Sequence, residues 1–330
     1  MVLEQIVGIE QRTQSKRVIA FHNSPKPQHK MGMGTAFGHH GETIQGAARF
    51  DNNVTERFLV TLPCSELSAQ ANFIPSRDLQ GEVVVSSCKT KSKQAAEATL
   101  RYLNRSSFGG HLELTSNIDE GSGLGASTTD VGASTRAVGE TLETTLRPEI
   151  IARLAVDAEM ASDAIMFDGS CVLFAQRRGD VLSYLGSALP AVHVLSVNTA
   201  ADQPINTLAT PPARYSDWEL QCFRALNGML RRAIRMSDPN LLGRVATASA
   251  KISQHYLPKP AFADILSIAS AHGACGVQVA HSGTVVGLLF DAHCARSATN
   301  MAGATKDLET IGMAPDFGIC TQLEGLKDVS

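Results

Sequence analysis

The segment DEGSGLGASTTD, residues 119–130, carries three glycines at alternate positions followed by small and hydroxylated residues. Glycine adopts left-handed torsions without steric cost and lets a ligand approach the backbone closely. Successive N–H groups of such a loop converge on one point, and at the N-terminus of a helix they form an anion site. The segment therefore predicts a phosphate-binding loop, with a flexible turn that ends in a Ser/Thr cap as the alternative.

The surroundings of this loop have the order that a phosphate site needs. A strand is predicted at residues 111–115, and a helix follows the loop because apolar residues recur there at helical spacing: Leu124, Val131, Val138 and Leu142. Two common phosphate patterns are excluded. No lysine follows the glycines as G-x-x-x-x-G-K-[ST] requires, and Ala126 takes the place of the last glycine of G-x-G-x-x-G.

The remaining elements predict an α+β architecture. Strands are expected at residues 58–62, 82–86, 172–174, 181–185, 191–197, 277–280 and 285–290. Helices are expected after Pro148, with Ile151, Leu154, Ala158 and Ile165 as their buried stripe, and at residues 216–235, 239–256 and 261–272, before a last helix and strand. These elements come in unequal clusters rather than in regular βα alternation, which favours α+β.

The bulk composition excludes several classes of protein. The chain has 330 residues, 43% of them apolar, and a formal net charge of −3, so that no global basic field attracts nucleic acid or anionic lipid. Seven scattered cysteines show no metal-site spacing, which favours reduced thiols in the cytoplasm. No stretch approaches the roughly 20 apolar residues of a membrane span.

Three regions divide the chain. Residues 1–30 form a basic N-terminal extension, with one strand expected at residues 17–21. Residues 31–190 and 191–330 form two domains, and the second begins near a segment rich in turn-forming residues at 204–212.

Three motifs in order resemble the GHMP kinases, a superfamily of small-molecule kinases. GSGLGAS with Thr128 and Thr129 resembles their second motif, P-x-x-x-G-L-G-S-S-A-A, although Ala126 replaces its first serine. GHHGETIQG at residues 38–46 lies in the place of the first motif. HGACGVQVAHSGTVVGLLF at residues 272–290 resembles the third.

One branch of that superfamily is most similar, the L-threonine kinases of cobalamin synthesis. GETIQG at residues 41–46 resembles their G-E-L-I-Q-G, and STTD at residues 127–130 resembles S-T-A-D. ASDAIMFDGSCVLFAQRRG at residues 161–179 resembles P-T-D-x-x-M-F-x-x-x-x-L-F-x-x-R-x-G. The resemblance implies a GHMP kinase two-domain fold, with an N-terminal domain like ribosomal protein S5 domain 2 and a ferredoxin-like C-terminal domain.

The same resemblance implies the cofactors ATP and Mg²⁺. Loop residues would hold the phosphates of ATP: Gly121, Ser122, Gly123, Leu124, Gly125, Ala126 and Ser127. Ser127 and Glu159 would bind Mg²⁺, which takes few protein oxygens besides phosphate oxygens and water. The family's glutamate aligns with Met160, one place after Glu159. An N-cap and a solvated helix residue are the alternatives for Ser127 and Glu159.

Asp163 and Ser127 are the expected catalytic residues. Asp163 aligns with the aspartate of P-T-D and would accept the proton of the acceptor hydroxyl or orient that hydroxyl, with a helix cap as the alternative. The expected substrate-binding residues are Glu42, Gln45, Asp130, Ser282 and Gly283. Glu42, Gln45 and Asp130 are equally compatible with turn or helix-surface positions.

Four histidines and two adjacent arginines are expected to have no metal-binding or catalytic role. His39, His40, His272 and His281 lack the spacing of a metal site, and the adjacent His39 and His40 point in different directions, so that we expect ordinary loop histidines. Arg177 and Arg178 lie in the turn of a predicted hairpin, where we expect them to be solvated.

The expected function is ATP-dependent phosphorylation of a small hydroxylated amino acid, with L-threonine as first choice. A homoserine kinase or a related specialised-pathway kinase is the alternative within the class. A non-catalytic nucleotide- or metabolite-binding protein is the alternative from another class. The expected partner is the small-molecule substrate, with no nucleic acid and no membrane, and a homodimer is left open.

Overall fold

The computed structural model describes residues 30–49, 54–86, 89–200 and 213–320. The strands of these residues are β1 (Gly32–Arg49), β2 (Thr55–Pro75), β3 (Val83–Val85), β4 (Gly110–Ser116), β5 (Cys171–Ala175), β6 (Asp180–Gly186), β7 (Val192–Asn198), β8 (Gly276–Val279), β9 (Val285–Asp291) and β10 (Pro315–Cys320). The helices are α1 (Thr90–Tyr102), α2 (Ala126–Thr141), α3 (Pro148–Glu159), α4 (Asp217–Met236), α5 (Pro239–Ser253), α6 (Phe262–Ala271) and α7 (Ser297–Thr310).

One sheet runs through both halves of the described chain. Its strand order is β10-β7-β9-β8-β1-β2-β4-β3, and β5 pairs with β2 and β6. The halves join where Glu42 of β1 pairs with Val279 of β8. The long strands β1 and β2 pair in antiparallel fashion, and their register shifts between His39 and Glu42, where Gly41 has a φ of 64°. Such a bulge changes the direction of the neighbouring side chains.

Helices cover the sheet and close the core. Apolar residues of α1 and α2 pack on β1, β2 and β4, and those of α4 and α5 pack on β1, β2 and β7. Phe223 of α4 meets Phe58 of β2 edge to face, with ring centroids 6.2 Å apart. Because β1 is covered from both halves, its central residues are buried whatever their polarity.

Local signals explain where several helices begin and end. The Ser216 side chain accepts from the Glu219 amide and the Glu219 side chain accepts from the Ser216 amide, a capping box that starts α4. Pro148 occupies the first turn of α3. That helix ends at Glu159 because Met160 takes a left-handed conformation with a φ of 66°.

The α+β prediction is confirmed, and most predicted strands and helices of the described residues are found within a few residues of their expected bounds. The strand predicted at 58–62 is an exception, because β2 continues to Pro75. Ile165 was expected on the helix after Pro148 but lies beyond its end, in the turn that leads to β5. Neither β1 nor α1 was predicted. Most of β1 is buried on both faces and does not alternate, and α1 packs through alanines, which give a weak apolar face.

Two groups of predictions are not decided by this structure. Residues 1–29, with the strand expected at 17–21, and the turn-rich segment at 204–212 lie outside the described residues. The boundary near residue 190 stays a prediction. Within the described ranges, no helix combines the length and the apolar character that a membrane crossing requires.

Candidate active site

The glycine loop between β4 and α2 packs tightly against two other segments. Its three glycines, within residues 121–125, have φ values of 82° to 85°. A Cβ on Gly123 would overlap the backbone of Ser282 and Gly283, and a Cβ on Gly125 would overlap the ring of His39. The glycines therefore allow both the left-handed torsions and the close approach of the second motif to the first and third.

The loop leads directly into the N-terminus of α2. The Thr129 amide donates to the Gly125 carbonyl at 2.9 Å and closes the first turn, so that the amides before it have no partner inside the helix. The Ser122 hydroxyl donates to the Asp119 carbonyl at 2.8 Å and holds the loop in shape. Free amides at the positive end of a helix dipole bind anions.

Glu159 faces the first turn of α2. The Ser127 hydroxyl donates to one carboxylate oxygen at 2.7 Å, and the Thr128 hydroxyl donates to the other at 2.8 Å. Burial raises the pKa of Glu159 to about 7, although these two hydrogen bonds oppose the rise. Met160, which aligns with the family's glutamate, is 73% exposed. The end of α3 thus directs Glu159 towards Ser127, and the shift of one residue keeps a carboxylate beside the loop.

Asp163 forms an ion pair with His39 next to this group. His39 Nε2 donates to Asp163 Oδ2 at 3.0 Å, and the Thr128 hydroxyl lies 3.4 Å from the same oxygen. Burial lowers the pKa of His39, but the charge and hydrogen bond of Asp163, the charge of Glu42 and the Gly41 carbonyl together raise this pKa to about 9. Burial likewise opposes ionisation of Asp163, but the charge and hydrogen bond of His39, with His281 and Thr128, together lower the pKa of Asp163. At neutral pH the pair is an imidazolium and a carboxylate.

Glu42 lies on the other side of the same histidine. Its carboxylate is 3.8 Å from His39 Nδ1, and burial raises its pKa well above the usual range. His39, Glu42 and Asp163 place one ligand atom each within 4.8 Å of one another, a set that could hold a cation. In this structure the three side chains form the His39–Asp163 ion pair, with the Glu42 carboxyl group on the other side of the imidazole.

One cavity of about 330 Å³ connects these residues. We call its two sides the loop end and the basic end. The loop end consists of Lys91, Gly121, Gly123, Gly125, Ala126, Ser127, Thr128 and Glu159, and Lys91 Nζ lies 3.9 Å from the Glu159 carboxylate. The basic end consists of Gln45, Arg57, Gln176, Arg177, Tyr215, Tyr256 and His281. Asp163 lies between the ends, because it contacts Thr128 and interacts electrostatically with His281.

Buried polar groups hold the third motif beside the basic end. His281 Nδ1 donates to the Gln45 side-chain oxygen at 2.7 Å, and burial lowers the pKa of His281, so that its ring is neutral. Lys259 is buried, donates to the Gly283 carbonyl and has its pKa lowered to about 8 by burial. Because Gly283 packs on Gly123, Lys259 also supports the glycine loop.

The structure brings most predicted site residues together. Ser127 meets Glu159 directly. The predicted residues that line the cavity are Gln45, Gly121, Gly123, Gly125, Ala126, Ser127, Glu159, Asp163 and Ser282, whereas Ser122 and Leu124 of the loop do not line it. Three predicted substrate residues do not line the cavity: Glu42, Asp130 and Gly283. Glu42 lies beneath His39, and the Asp130 carboxylate accepts from Lys89 at 2.8 Å beside a neighbouring groove.

His39 and His40 are not loop residues, contrary to the prediction, whereas His281 does lie in the loop between β8 and β9, where it lines the cavity. His39 and His40 belong to β1, where successive side chains point to opposite faces. His39 therefore meets Asp163, whereas His40 bonds to Ser196 and Gln278, and burial lowers the pKa of His40 to about 4. His272, by contrast, bonds to Asp307 at 2.7 Å away from the cavity.

Arg177 and Arg178 are both exposed, as predicted, but their contacts differ. Arg178 is solvated and pairs with Glu56 and Asp180, as a turn residue should. Arg177 lines the cavity, and Arg57, which drew no attention in the sequence, lines it too. The spacing of residues in the sequence predicts neither position, because Arg57 reaches the cavity from β2 and Arg177 from the turn between β5 and β6.

Comparisons with known proteins agree with this geometry. The GHMP kinases N terminal domain family matches residues 90–172, and the GHMP kinases C terminal family matches residues 230–304. An L-threonine kinase of Salmonella typhimurium is 27% identical over 54% of this chain and 59% of its own length. An L-threonine kinase of Citrobacter freundii is 30% identical over 54% of this chain and 62% of its own length. The match thus spans about three fifths of these relatives.

The fold is shared more widely than the sequence. The structure of a homoserine kinase from Cytophaga hutchinsonii superposes with a TM-score of 0.62 over 88% of this chain and 96% of that chain, at 17% identity. The two family matches cover the glycine loop and the segment with the third motif, and the shared fold agrees with them. The chain carries the N-terminal and C-terminal domains of the GHMP kinase family.

Proposed function

We propose that this protein is an ATP-dependent kinase that transfers the γ-phosphoryl group to the hydroxyl of a small hydroxylated amino acid. The observation that carries the proposal is one cavity in which the Ser127–Glu159 pair at a helix N-terminus lies beside the ionised pair of Asp163 and His39. Phosphoryl transfer needs charge stabilisation on the phosphates and an aligned nucleophile, and these two groups can supply both.

The groups of the loop end suit the phosphates of a nucleoside triphosphate with Mg²⁺. The glycine loop offers amides without helical partners, and Ser127 offers a hydroxyl next to a carboxylate. Burial raises the pKa of Glu159 to about 7, and a bound cation would stabilise its charged form. Bound Mg²⁺ neutralises phosphate charge. In this proposal, Ser127 and Glu159 hold the metal and residues 121–127 hold the phosphates.

Asp163 is proposed to orient the acceptor hydroxyl. Its pKa is lowered by His39, which makes it a weak base that is ionised at neutral pH. A carboxylate of this kind accepts a hydrogen bond from the hydroxyl and points the oxygen at the phosphate. A loose transition state for phosphoryl transfer demands little more. His39 would keep Asp163 ionised and in place.

L-threonine is the substrate we propose first. Both relatives with matching sequences are named L-threonine kinases, which also supports a role for this chain in cobalamin synthesis, the pathway of that branch. Homoserine is the second choice, because a homoserine kinase shares the fold. The proposed domains, residues 31–190 and 191–330, would both contribute to the cavity, since Gln45 comes from the first and His281 from the second.

Release of ADP tests the proposal. Purified protein is incubated with ATP, Mg²⁺ and, separately, L-threonine, L-homoserine and L-serine, and ADP is measured against a reaction without acceptor. We expect ADP formation that depends on the acceptor and is fastest with L-threonine. Nucleotide binding without turnover of any acceptor would support a non-catalytic binding protein instead.

A further inference from the structure

The basic end of the cavity carries the charges of two arginines that form no ion pair among the described residues. Arg57 and Arg177 line it together with neutral polar and aromatic side chains. The acidic residues that line the cavity, Glu159 and Asp163, lie at the loop end and between the ends, and each is already paired. Among the described residues, the basic end itself contributes no carboxylate.

Neither arginine forms an ion pair within the part of the chain that the structure describes. A guanidinium nitrogen of Arg57 donates to the Ala213 carbonyl at 2.5 Å, and the group is half-buried. Burial lowers the pKa of Arg57, Tyr215 opposes this effect, and the charge of Arg177 lowers the pKa further. Arg178, the next residue in the turn, pairs instead with Glu56 at 3.0 Å and Asp180 at 2.6 Å.

One carboxylate lies behind the basic end: Glu219 accepts from the Tyr256 hydroxyl at 2.7 Å and from the Ser216 amide at 2.8 Å, and it does not line the cavity. The described side chains that line the basic end include no carboxylate. Burial lowers the pKa of His281; Asp163 opposes the effect, and Arg57, Lys259 and Arg177 add to it. His281 is therefore neutral and Lys259 retains much of its charge near pH 7, since its pKa is about 8. Like charges that face one cavity repel each other, and a bound anion would relieve that repulsion. Arginine forks bind carboxylate and phosphate oxygens with two parallel hydrogen bonds.

We propose that Arg57 and Arg177 bind an anionic oxygen group of the acceptor, so that a free carboxylate is required for binding. The inference rests on the proposed kinase function and deepens it, because it names the part of the substrate that the basic end recognises. Asp163 lies between the two ends, so that an acceptor held by its carboxylate can present its hydroxyl towards the loop end. A hydroxylated amino acid or hydroxy acid fits; an amino alcohol does not.

Equilibrium binding without nucleotide tests this inference separately from catalysis. Isothermal titration calorimetry is carried out with L-threonine, with L-threoninol, which lacks the carboxylate, and with glycerol 3-phosphate, which carries a phosphate instead. The variants are Arg57→Gln, Arg177→Gln and the charge-preserving Arg57→Lys. Arg178→Gln is the matched control, since it removes the same charge from the same turn. Circular dichroism and the melting temperature report whether each variant is folded.

We expect the wild type to bind L-threonine and to bind L-threoninol at least about 10-fold more weakly. Arg57→Gln and Arg177→Gln should each weaken L-threonine binding by a similar factor, Arg57→Lys should restore part of it, and Arg178→Gln should change nothing. Tighter binding of glycerol 3-phosphate with the same dependence on both arginines would also support the site, with a phosphate as the natural anion.

Three results would overturn the inference: equal binding of L-threonine and L-threoninol, wild-type affinity in both glutamine variants, or no binding of any of the three probes. The fate of the kinase proposal is read independently from ADP release. Arginine-dependent binding without turnover would refute the kinase and retain the anion site. Turnover of L-threonine with the same KM in the wild type and in both glutamine variants would retain the kinase and refute the anion site.

Discussion

The loop end and the basic end of the cavity use different chemistry. The loop end presents backbone amides and hydroxyls from residues 121–128, together with one carboxylate, Glu159, and the exposed Lys91 that pairs with it. The basic end presents side chains from several distant segments, among them Arg57 of β2, Arg177 of the β5–β6 turn and His281 after β8. Backbone geometry therefore controls the first region, and side-chain charge controls the second.

Because of this difference, different kinds of substitution should disrupt the two regions. The loop end is vulnerable to added atoms, because Gly123 and Gly125 lie against other segments with no space for a Cβ. The basic end is vulnerable to lost charge, because Arg57 and Arg177 lie near one another and form no ion pair among the described residues. Asp163 contacts Thr128 of the loop end and interacts electrostatically with His281 of the basic end, so that its removal should have the largest effect.

Asp163→Asn retains the shape of the side chain and removes its charge. We expect kcat for L-threonine phosphorylation to fall by about 10²-fold, the cost of a misplaced reacting group. The dissociation constant for ADP should stay close to that of the wild type, since the substitution changes none of the residues of the loop end. Steady-state kinetics and nucleotide titration measure the two quantities. An unchanged kcat would remove Asp163 from the active site.

Glu159→Gln tests the metal role of the loop end. The Mg²⁺ concentration for half-maximal rate should rise by about 10-fold or more. In the wild type this concentration should also rise as the pH falls through about 7, because protonation of Glu159 removes the ligand. The variant should lose that pH dependence. Glu149→Gln, in the first turn of the same helix, is the control, and equal Mg²⁺ dependence in all three proteins would contradict the assignment.

Gly125→Ala separates backbone strain from close packing. Its φ is 82°, and a Cβ there would overlap the His39 ring, whereas Gly169 has a φ of 73° and no atom within 4 Å of an added Cβ. Both alanine variants carry the left-handed cost of about 1–2 kcal/mol. Only Gly125→Ala should lose more stability than this and bind ADP several-fold more weakly. Equal unfolding free energies and ADP affinities for the two variants would show that the contact with His39 is unimportant.

His39→Gln tests the ion pair through its pH dependence. The pKa of His39 is raised from 6.5 to about 9 in the folded protein. The pair therefore stabilises the fold fully below pH 6.5, and this contribution is lost as the pH rises through about 9. Urea unfolding at several pH values should show that decline in the wild type and a smaller one in His39→Gln. The same slope in both proteins would mean that His39 is not charged in the folded state.

The loop end could be predicted from the sequence because its determinants are local. Glycines at alternate positions and a hydroxylated helix start lie within residues 121–128, and their geometry depends on the backbone. Glu159 was found through the resemblance, and its distance from Ser127 follows from the left-handed end of α3 at Met160. The α+β class was predictable for a similar reason, since the short-range patterns of most elements were clear.

The rest of the site depends on contacts between residues far apart in the chain. His39 meets Asp163 across 124 positions, and His281 meets Gln45 across 236. His39 meets Asp163 and His40 points to the other face of β1, and burial of that strand on both faces removes the alternation that would have distinguished the two histidines. A single residue such as Arg57 belongs to no sequence motif, so that its position in the cavity could not be predicted.

Identification of the reaction product tests the central claim most directly. Wild-type protein is incubated with ATP, Mg²⁺ and L-threonine, and the mixture is followed by ³¹P nuclear magnetic resonance with authentic O-phospho-L-threonine as the standard. We expect a phosphomonoester signal that matches the standard and grows in equal amount with ADP, and Asp163→Asn should form it far more slowly. ADP that accumulates with inorganic phosphate alone, or ATP that binds and stays intact with every hydroxylated amino acid, would contradict the proposed kinase.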